Sequence, residues 1–490
     1  MRRGREAWCG EKGVLTMRIT VYLSAALLLF LGIASGTHAA SFVNQSVGSN
    51  LVRGYTSNPR SIISNISNPA ASAMSLKDGE SFTRFGLLTN IGVGTEYGQI
   101  DNIFDVIDQK AQAFSKGLTL DVPALPADPN DPAQVDQFIT ELKDSVEVAV
   151  KDLNDVLAAV GQDGYAKVFA NGTLPVMPIS HGSRVAGGVL TLDVSGSVTS
   201  KSVTLQDPID LDYADIQNQL LAGLTTLDLG EGTVDTVADN FTVDNDSTLV
   251  TRAATLASFS LGYSRAVFRG DNGVLLAGVR GKLYRAGLAR VATRLGGLTD
   301  AEKILQDILN AKFNYDSNFG IDLGLLWESR NYQAGVTVSD INEPEFSFPG
   351  MEGLEGMGYT PGTDIYNRLA SQYVYTVERQ FKFEAGVFTA DRRWALNATY
   401  DANAIPDPFG DDYQWATVSG EYFTGSWIIP GLRAGYRANL AGEKIGYGAL
   451  GLTLLKVLNI DMAMALKSVD IDNDTVPRGA MLNIGLHMPI

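Results

Sequence analysis

Hydrophobic and polar residues alternate along most of the second half of the chain. From Phe319 to Trp327 the odd-numbered positions are apolar, whereas Asp322 and Gly324 lie on the opposite face. The same period of two continues in segments 332–339, 381–387, 394–400, 432–440, 459–468 and 481–490. Because the side chains of a β-strand point alternately to its two faces, this pattern predicts strands with one apolar and one polar face.

The alternating runs have the length of membrane-crossing strands. They extend over about ten residues, whereas strands of soluble proteins average about five or six. The polar face carries Gly beside charged residues, as at Arg433, Gly435 and Arg437, which suits a wetted interior. Aromatic residues lie near strand ends, where an interfacial girdle is expected. These are Trp327, Tyr400, Tyr422 and Trp427. A secreted β-sandwich is the alternative, but the features together favour a transmembrane barrel.

Runs of this kind recur about fourteen times, an even number as in single-chain bacterial outer-membrane barrels. We place them near residues 82–97, 165–180, 184–199, 254–268, 273–290, 318–328, 330–340, 376–388, 391–401, 412–425, 429–440, 444–456, 458–468 and 478–490. The predicted fold is an all-β transmembrane β-barrel of about 14 antiparallel strands over residues 82–490, with an N-terminal lumen plug and helical loop insertions.

Two insertions have helical rather than strand patterns. The first lies near 101–164, where Asp131 is a candidate N-cap, Pro132 fits the first helical position, and apolar residues follow at helical spacing up to Gly161. We expect its apolar stripe to pack against neighbouring protein. The second lies near 299–312, where Thr299 and Glu302 form a capping box. Helices do not belong in a barrel wall, so we place both in loops.

The N-terminus predicts export. An uncharged apolar run, Ile19–Gly36, follows the basic Arg18, and residues 37–40 (THAA) offer a small-residue cleavage site. We predict a signal peptide over residues 1–39, with Met17 as an alternative start and an uncleaved anchor as the alternative interpretation. No later stretch approaches the ~18 apolar residues of a membrane helix. Sec-type export to the outer membrane of a Gram-negative bacterium is the predicted localisation.

Composition narrows the chemistry. The formal net charge is −17 without a Lys/Arg cluster beyond the leader, so we do not expect nucleic acid as a partner. The only cysteine, Cys9, lies in the leader, which argues against disulfides, thiolate catalysis and cysteine metal sites. The stretch Asp470–Pro477 offers oxygen ligands but lacks the Gly and distal Glu of a calcium loop, so we interpret it as a hydrated turn.

Catalytic motifs are weak. His181-Gly182-Ser183 resembles the His-x-Ser of an outer-membrane phospholipase, in which Ser is the nucleophile and His the base, but Arg184 and Val185 do not continue that motif. His487 falls on the polar face of the last strand. The chain has no Gly-x-Ser-x-Gly elbow, P-loop or HExxH. We expect no enzyme activity, no cofactor and no bound metal.

The segment before the first strand, residues 40–81, is rich in Ser and Asn and contains Asn68-Pro69-Ala70. Asn68 can cap a short helix that Pro69 begins. The simplest interpretation is a capped turn at the start of a domain. A barrel of about fourteen strands, however, encloses more space than its own side chains fill. We therefore predict that this segment plugs the lumen.

These features resemble the FadL-like outer-membrane proteins, and within them the branch described as conjugal transfer protein TraF. The resemblance covers most of the chain after the leader and is sharpest at Asn68-Pro69-Ala70 and at Asn342–Phe346. It implies an N-terminal hatch that plugs the barrel and lateral passage of hydrophobic ligands through the wall. The thioredoxin-like protein that shares the name TraF is a different protein, because this chain has no CxxC. The last strand ends in Ile490 rather than the usual aromatic residue.

Two classes of function follow. One is a plugged, porin-like transport channel for small hydrophobic compounds; the other is an interaction or structural barrel, for example an accessory of conjugal transfer or of cell-surface contact. The expected partners are outer-membrane lipid, a small hydrophobic ligand and the barrel assembly machinery. The polar residues that we predict to face the lumen are Asp322, Glu328, Lys382, Glu384, Arg433, Arg437, Asp461 and Lys467.

Overall fold

The structure, a computed structural model, describes residues 42–76, 81–101, 123, 131–209, 245–295, 311–471 and 474–486. The predicted signal peptide lies outside these residues. So does almost all of the helix predicted near 299–312.

Strands make up most of the described chain. They are β1 Phe82–Phe85, β2 Leu87–Tyr97, β3 Tyr165–Thr173, β4 Ile179–Ser183, β5 Gly188–Leu205, β6 Thr248–Gly270, β7 Gly273–Arg294, β8 Asn314–Glu328, β9 Tyr332–Ser339, β10 Glu345–Phe348, β11 Tyr373–Thr376, β12 Gln380–Phe388, β13 Trp394–Asp401, β14 Ile405–Pro406, β15 Asp412–Tyr413, β16 Trp415–Tyr422, β17 Gly431–Asn439, β18 Gly446–Leu454, β19 Leu458–Ala465, β20 Ser468–Ile471, β21 Asp474–Pro477 and β22 Gly479–Leu486. The α-helices are α1 Asn50–Arg53, α2 Ser64–Ser67, α3 Pro132–Asp163 and α4 Asp364–Ala370, and two 3₁₀ helices cover Pro69–Ser75 and Leu354–Met357.

Fourteen strands form a closed antiparallel ring, in the order β2-β3-β5-β6-β7-β8-β9-β12-β13-β16-β17-β18-β19-β22, and the last strand pairs with the first. Each predicted run corresponds to one of these strands, so the predicted barrel is confirmed. β1 and β4 pair with each other and continue the sheet beside β5. The short hairpins β10–β11, β14–β15 and β20–β21 lie outside the ring.

The outer face of the ring is apolar and the inner face is polar. Leu396, Val418 and Leu450 are each at least 60% exposed, whereas Asp322 and Asp461 on the inner face are completely buried. This arrangement is the reverse of a soluble barrel and is typical of a wall in contact with lipid. The chain is an outer-membrane β-barrel. None of the helices in the described ranges is both long and apolar enough to span a bilayer.

The two ends of the barrel differ in their connections. At one end, which we call the turn end, the strands are joined by residues 184–187, 271–272, 329–331, 389–393, 423–430 and 455–457. At the other, the loop end, the connections are longer on the whole and contain α3, α4 and the three extra hairpins. In bacterial barrels the short turns are periplasmic and the long loops extracellular. The loop end therefore faces the cell exterior.

Helix α3 confirms the predicted first insertion. The Asp131 side chain accepts a hydrogen bond from the backbone N of Ala133 at 3.0 Å, which caps the helix as expected. Its apolar stripe is buried at Phe138, Leu142 and Val146, among other positions. The predicted hydrated turn, Asp470–Pro477, overlaps the hairpin β20–β21.

The barrel makes a direct prediction about detergent resistance. Expressed from Met17 in a Gram-negative host, the chain should be recovered in the outer-membrane fraction. It should also migrate faster on a gel when unboiled than when boiled, because the closed ring of strands resists detergent until it is heated. A soluble periplasmic product without a heat-dependent shift would contradict the membrane barrel.

Candidate functional site: the hatch inside the barrel

The segment 42–76, which we call the hatch, lies inside the ring of strands. It hydrogen-bonds to inward-facing groups all around the wall, on β2, β3, β4, β5, β7, β8, β9, β12, β16, β17, β19 and β22. Near the loop end the Phe42 ring contacts that of Tyr375, with their centroids 6.4 Å apart. Arg60 reaches the turn end, where it donates to the backbone O of Arg392 at 2.6 Å. The hatch therefore extends along the barrel interior from one end to the other.

Polar contacts dominate the hatch–wall interface. Arg53 forms an ion pair with Glu421 at 2.8 Å, and both side chains are largely buried. The Ser49 hydroxyl donates to Asp461 at 3.0 Å. Buried hatch residues are largely Ser and Asn, whose short side chains bring the backbone close enough to bond directly with the wall. Removing one partner of a buried ion pair costs about 3–5 kcal/mol, so these contacts fix the position of the hatch.

The Asn68-Pro69-Ala70 turn is docked at the inner face of β8 and β12. The Asn68 side-chain oxygen accepts from the backbone N of Ala70 at 2.9 Å and so caps the 3₁₀ helix that Pro69 begins. The Nδ2 of Asn68 donates to Glu384 Oε1 at 2.7 Å and to the backbone O of Leu325 at 3.3 Å. The same side chain therefore shapes the turn and ties it to the wall.

Glu384 joins two parts of the hatch. Besides Asn68, its carboxylate accepts hydrogen bonds from the backbone N and from the hydroxyl of Ser57, the latter at 2.8 Å. Within the described residues Glu384 has no ion-pair partner, so its buried charge is stabilised by the hatch alone. A buried carboxylate without hydrogen bonds is costly, which makes the hatch and Glu384 mutually dependent.

Two glycines of the wall make room for the turn. Gly278 on β7 and Gly324 on β8 lie opposite each other in register. A Cβ on Gly278 would collide with the backbone carbonyl of Pro69, and one on Gly324 would collide with the Asn68 side chain. A glycine in a strand often marks a close approach of another backbone, and here it does so at both positions.

Charged residues of β7 and β8 form a second group of contacts. Asp322 is paired with Arg280 and with Lys282, the latter at 2.6 Å. Lys282 also pairs with Asp340 at 2.8 Å, and Arg280 donates to the backbone O of Asn65 at 2.8 Å. Because Arg280 contacts both Asp322 and the hatch, this network links the wall to α2.

The other predicted lumen residues lie on the inner face of their strands. Arg433 pairs with Asp461 at 2.9 Å, and Arg437 lies 3.8 Å above the Trp415 ring. Lys382 lies 4.5 Å above the ring of Tyr55, and Glu328 pairs with Arg392 at 2.6 Å near the turn end. The structure brings Glu384 together with the Asn-Pro-Ala turn, whereas Arg433 and Asp461 contact each other on a separate part of the wall.

The predicted lumen-facing position of Lys467 is wrong. It lies on an exposed bend after β19, which ends at Ala465, and does not line the interior. The alternation continues past the strand end in sequence, but the chain bends into a loop there, so the position no longer has an inward direction.

Several residues of the interface were not predicted. Glu421 and Arg280 lie on inner-face positions that the alternation of β16 and β7 could have indicated. Three asparagines also bond to the hatch backbone or hatch-facing groups: Asn90, Asn171 and Asn483. Asn171 lies in a run of small residues, Ala170–Thr173, where alternation of polarity is weak.

Two groups of buried side chains lie at the loop end: an aromatic cluster, and an ion cluster in which Lys167 bonds Asp407 at 2.7 Å and also Asp411. Lys201 pairs with Asp411 as well. Burial acts to raise the pKa of Asp411, but the two ammonium groups outweigh it and hold that pKa below its ordinary value. The hairpin β14–β15 is thereby anchored over the wall.

The aromatic cluster, which we call the outer chamber, is a packed group of buried side chains in the interior at the loop end. It contains Phe42 of the hatch, Phe346, Phe348 and Tyr375 of the hairpin β10–β11, and Ala254, Leu256, Tyr284, Ala286 and Leu288 of β6 and β7. The Phe346 ring stacks on Tyr375 with their centroids 6.2 Å apart. Apolar side chains therefore cluster at the loop end of the interior, and a further apolar cluster lies along the hatch, where Ala70 and Ala71 pack with Leu326.

Comparison with known families agrees with this geometry. Residues 65–401, which include the Asn-Pro-Ala turn and the wall up to β13, match the family described as F plasmid transfer operon, TraF, protein. The chain belongs to this TraF family. No curated protein sequence matches it significantly.

Solved structures similar to this TraF-family barrel include outer-membrane channels. A FadL homologue of Pseudomonas aeruginosa is 13% identical, with 92% of this chain and 98% of that chain covered and a TM-score of 0.36. The toluene transporter TodX of Pseudomonas putida is 10% identical, with 90% and 95% covered and a TM-score of 0.36.

The close approach of the hatch to Gly278 and Gly324, which we call the glycine seat, suggests a substitution that should release the hatch. Gly278→Ala should displace the Asn-Pro-Ala turn, because its Cβ has no space against Pro69. Overpacking costs about 1–3 kcal/mol, which would raise the released population roughly ten-fold. Trypsin should then cleave after Arg53 and Arg60 correspondingly faster in the detergent-purified TraF-family protein.

Gly281→Ala is the matched control. Gly281 is on the same strand but faces outward, and its Cβ would meet open space, so this variant should be cut at the wild-type rate. Equal cleavage of both variants would show that the seat does not hold the hatch.

Proposed function

We propose that this TraF-family barrel is a plugged outer-membrane channel for small hydrophobic compounds. The hatch blocks the lumen at rest, and compounds enter from the loop end. The wall residues that contact the hatch, with Glu384 at their centre, hold the channel closed until the hatch is displaced.

One observation supports an apolar cargo. The outer chamber places aromatic and aliphatic side chains on the inner face of the wall at the loop end. Ligand sites are commonly apolar pockets with a few polar groups that fix orientation. Tyr284, whose hydroxyl donates to Asp340 at 2.9 Å, and the backbone of the hatch supply polar groups beside the chamber.

Uptake by whole cells tests the proposal. Cells that carry the chain should take up radiolabelled toluene or a radiolabelled fatty acid faster than cells without it, with no change for a labelled sugar. Phe346→Asn should abolish most of the gain, because it places a polar amide in the outer chamber. Val374→Asn is the matched control: it lies on the same hairpin but is 48% exposed, so uptake should be unchanged.

A second candidate function, contact with another cell or with a conjugation apparatus, has its own support. The description of the family refers to a plasmid transfer operon. The 32-residue helix α3 lies at the loop end and carries an exposed ion pair between Lys151 and Asp155. Such a helix offers a charged surface to a partner outside the cell.

Replacing α3 with a short Gly-Ser linker separates the two functions. If the barrel acts by contact, plasmid transfer or cell adhesion should fall while uptake of toluene is unchanged. If it acts only as a channel, plasmid transfer should stay at the wild-type level. Toluene uptake should then respond to substitutions in the outer chamber and not to the loss of α3.

A further inference from the structure

A concave apolar notch lies on the lipid-facing side of the wall, near the turn end. Its floor is formed by two small residues on adjacent strands, Gly420 on β16 and Ala434 on β17, which lie side by side in register. Larger residues flank them in the same row: Leu396 on β13, and Leu450 and Met462 on β18 and β19. Small residues between large ones leave a recess in a surface that is otherwise convex.

The next row toward the turn end closes the recess on one side. It consists of Trp394, Tyr422, Leu432, Leu452 and Ile460. The Trp394 and Tyr422 rings contact each other with their centroids 4.5 Å apart. The resulting cavity measures about 1040 Å³, which is at the upper end of the range of about 300–1,000 Å³ for ligand pockets.

The notch is not an opening in the wall. Strands β13, β16, β17, β18 and β19 are paired without interruption along its whole height. Behind its floor, Arg433 and Glu421 are engaged with Asp461 and Arg53. An occupant would therefore bind from the lipid side and would have no route into the lumen.

Cationic side chains lie at the turn-end border of the notch. Arg393 directly precedes Trp394, and its exposed side chain pairs with the exposed Asp391 at 3.4 Å. Lys456, in the turn between β18 and β19, lies 5.4 Å above the Trp427 ring and pairs with no carboxylate in the described part of the chain. A Lys and a Trp at this height are typical of the membrane interface, where an anionic headgroup is available.

We propose that the notch binds one anionic glycerophospholipid of the periplasmic leaflet. An acyl chain occupies the recess over Gly420 and Ala434, and the phosphate lies at Lys456, while Arg393 adds positive charge farther along the same border. The apolar recess lies deeper in the membrane and suits the acyl chain, whereas the cationic border lies nearer the periplasm and suits the phosphate. This inference rests on the orientation of the barrel and not on its proposed channel function.

Native mass spectrometry of the full chain tests the site, with dioleoyl phosphatidylglycerol titrated into delipidated, detergent-purified protein. One lipid should bind per chain at low concentration. Ala434→Leu should weaken binding at least ten-fold, because the side chain fills the recess. Lys456→Gln should weaken binding several-fold. The wild type should bind phosphatidylglycerol more tightly than phosphatidylethanolamine, whereas the Lys456→Gln variant should bind the two lipids with similar affinity.

Gly281→Leu on β7 is the matched control, since it also adds a leucine to a lipid-facing glycine but lies on another part of the wall. It should bind lipid like the wild type, and every variant must first show the heat-dependent gel shift. Equal lipid binding by Ala434→Leu would overturn the proposal. A lipid-free dimer of wild-type chains that Ala434→Leu dissociates would also overturn it, because a second copy would then occupy the notch. Toluene uptake reports separately on the channel.

Discussion

The structure depends on one constraint: charged side chains on the inner face of the wall are buried and must find partners. In an open pore, water would solvate them. Here Asp461, Glu421 and Glu384 are covered by the hatch, and each accepts hydrogen bonds from it. Since an unpaired buried charge is costly, a wall of this composition is stable in its closed state only while the hatch is in place.

The glycines of the wall serve the same constraint in a different way. Polar contacts act only at short range, so the hatch backbone has to approach the wall closely. Gly278 and Gly324 permit that approach at the Asn-Pro-Ala turn, and Gly435 permits it beside the carbonyl of Val52. Charge complementarity and the absence of side chains thus work together at the interface.

The sequence predicts the inner-face residues of the wall better than their contacts with the hatch. Alternation in β8, β12, β17 and β19 was sufficient to assign Asp322, Glu384, Arg433 and Asp461 to the inner face, because a strand has only two faces. It failed at Lys467, because alternation does not reveal where a strand ends. The hatch residues that contact these side chains could not be predicted, for a different reason. Ser49 and Asp461 are separated by 412 positions, and a pattern within one strand carries no information about a contact of that range.

The placement of the hatch gives the barrel a direction. Its beginning, at Phe42, lies beneath the hairpin β10–β11, whereas its end leads into β1 at the turn end. Its attachment to the first strand therefore lies on the periplasmic side. The hatch is thus tethered to the wall on the periplasmic side, so that a hatch released from its contacts would stay attached to the barrel at that end.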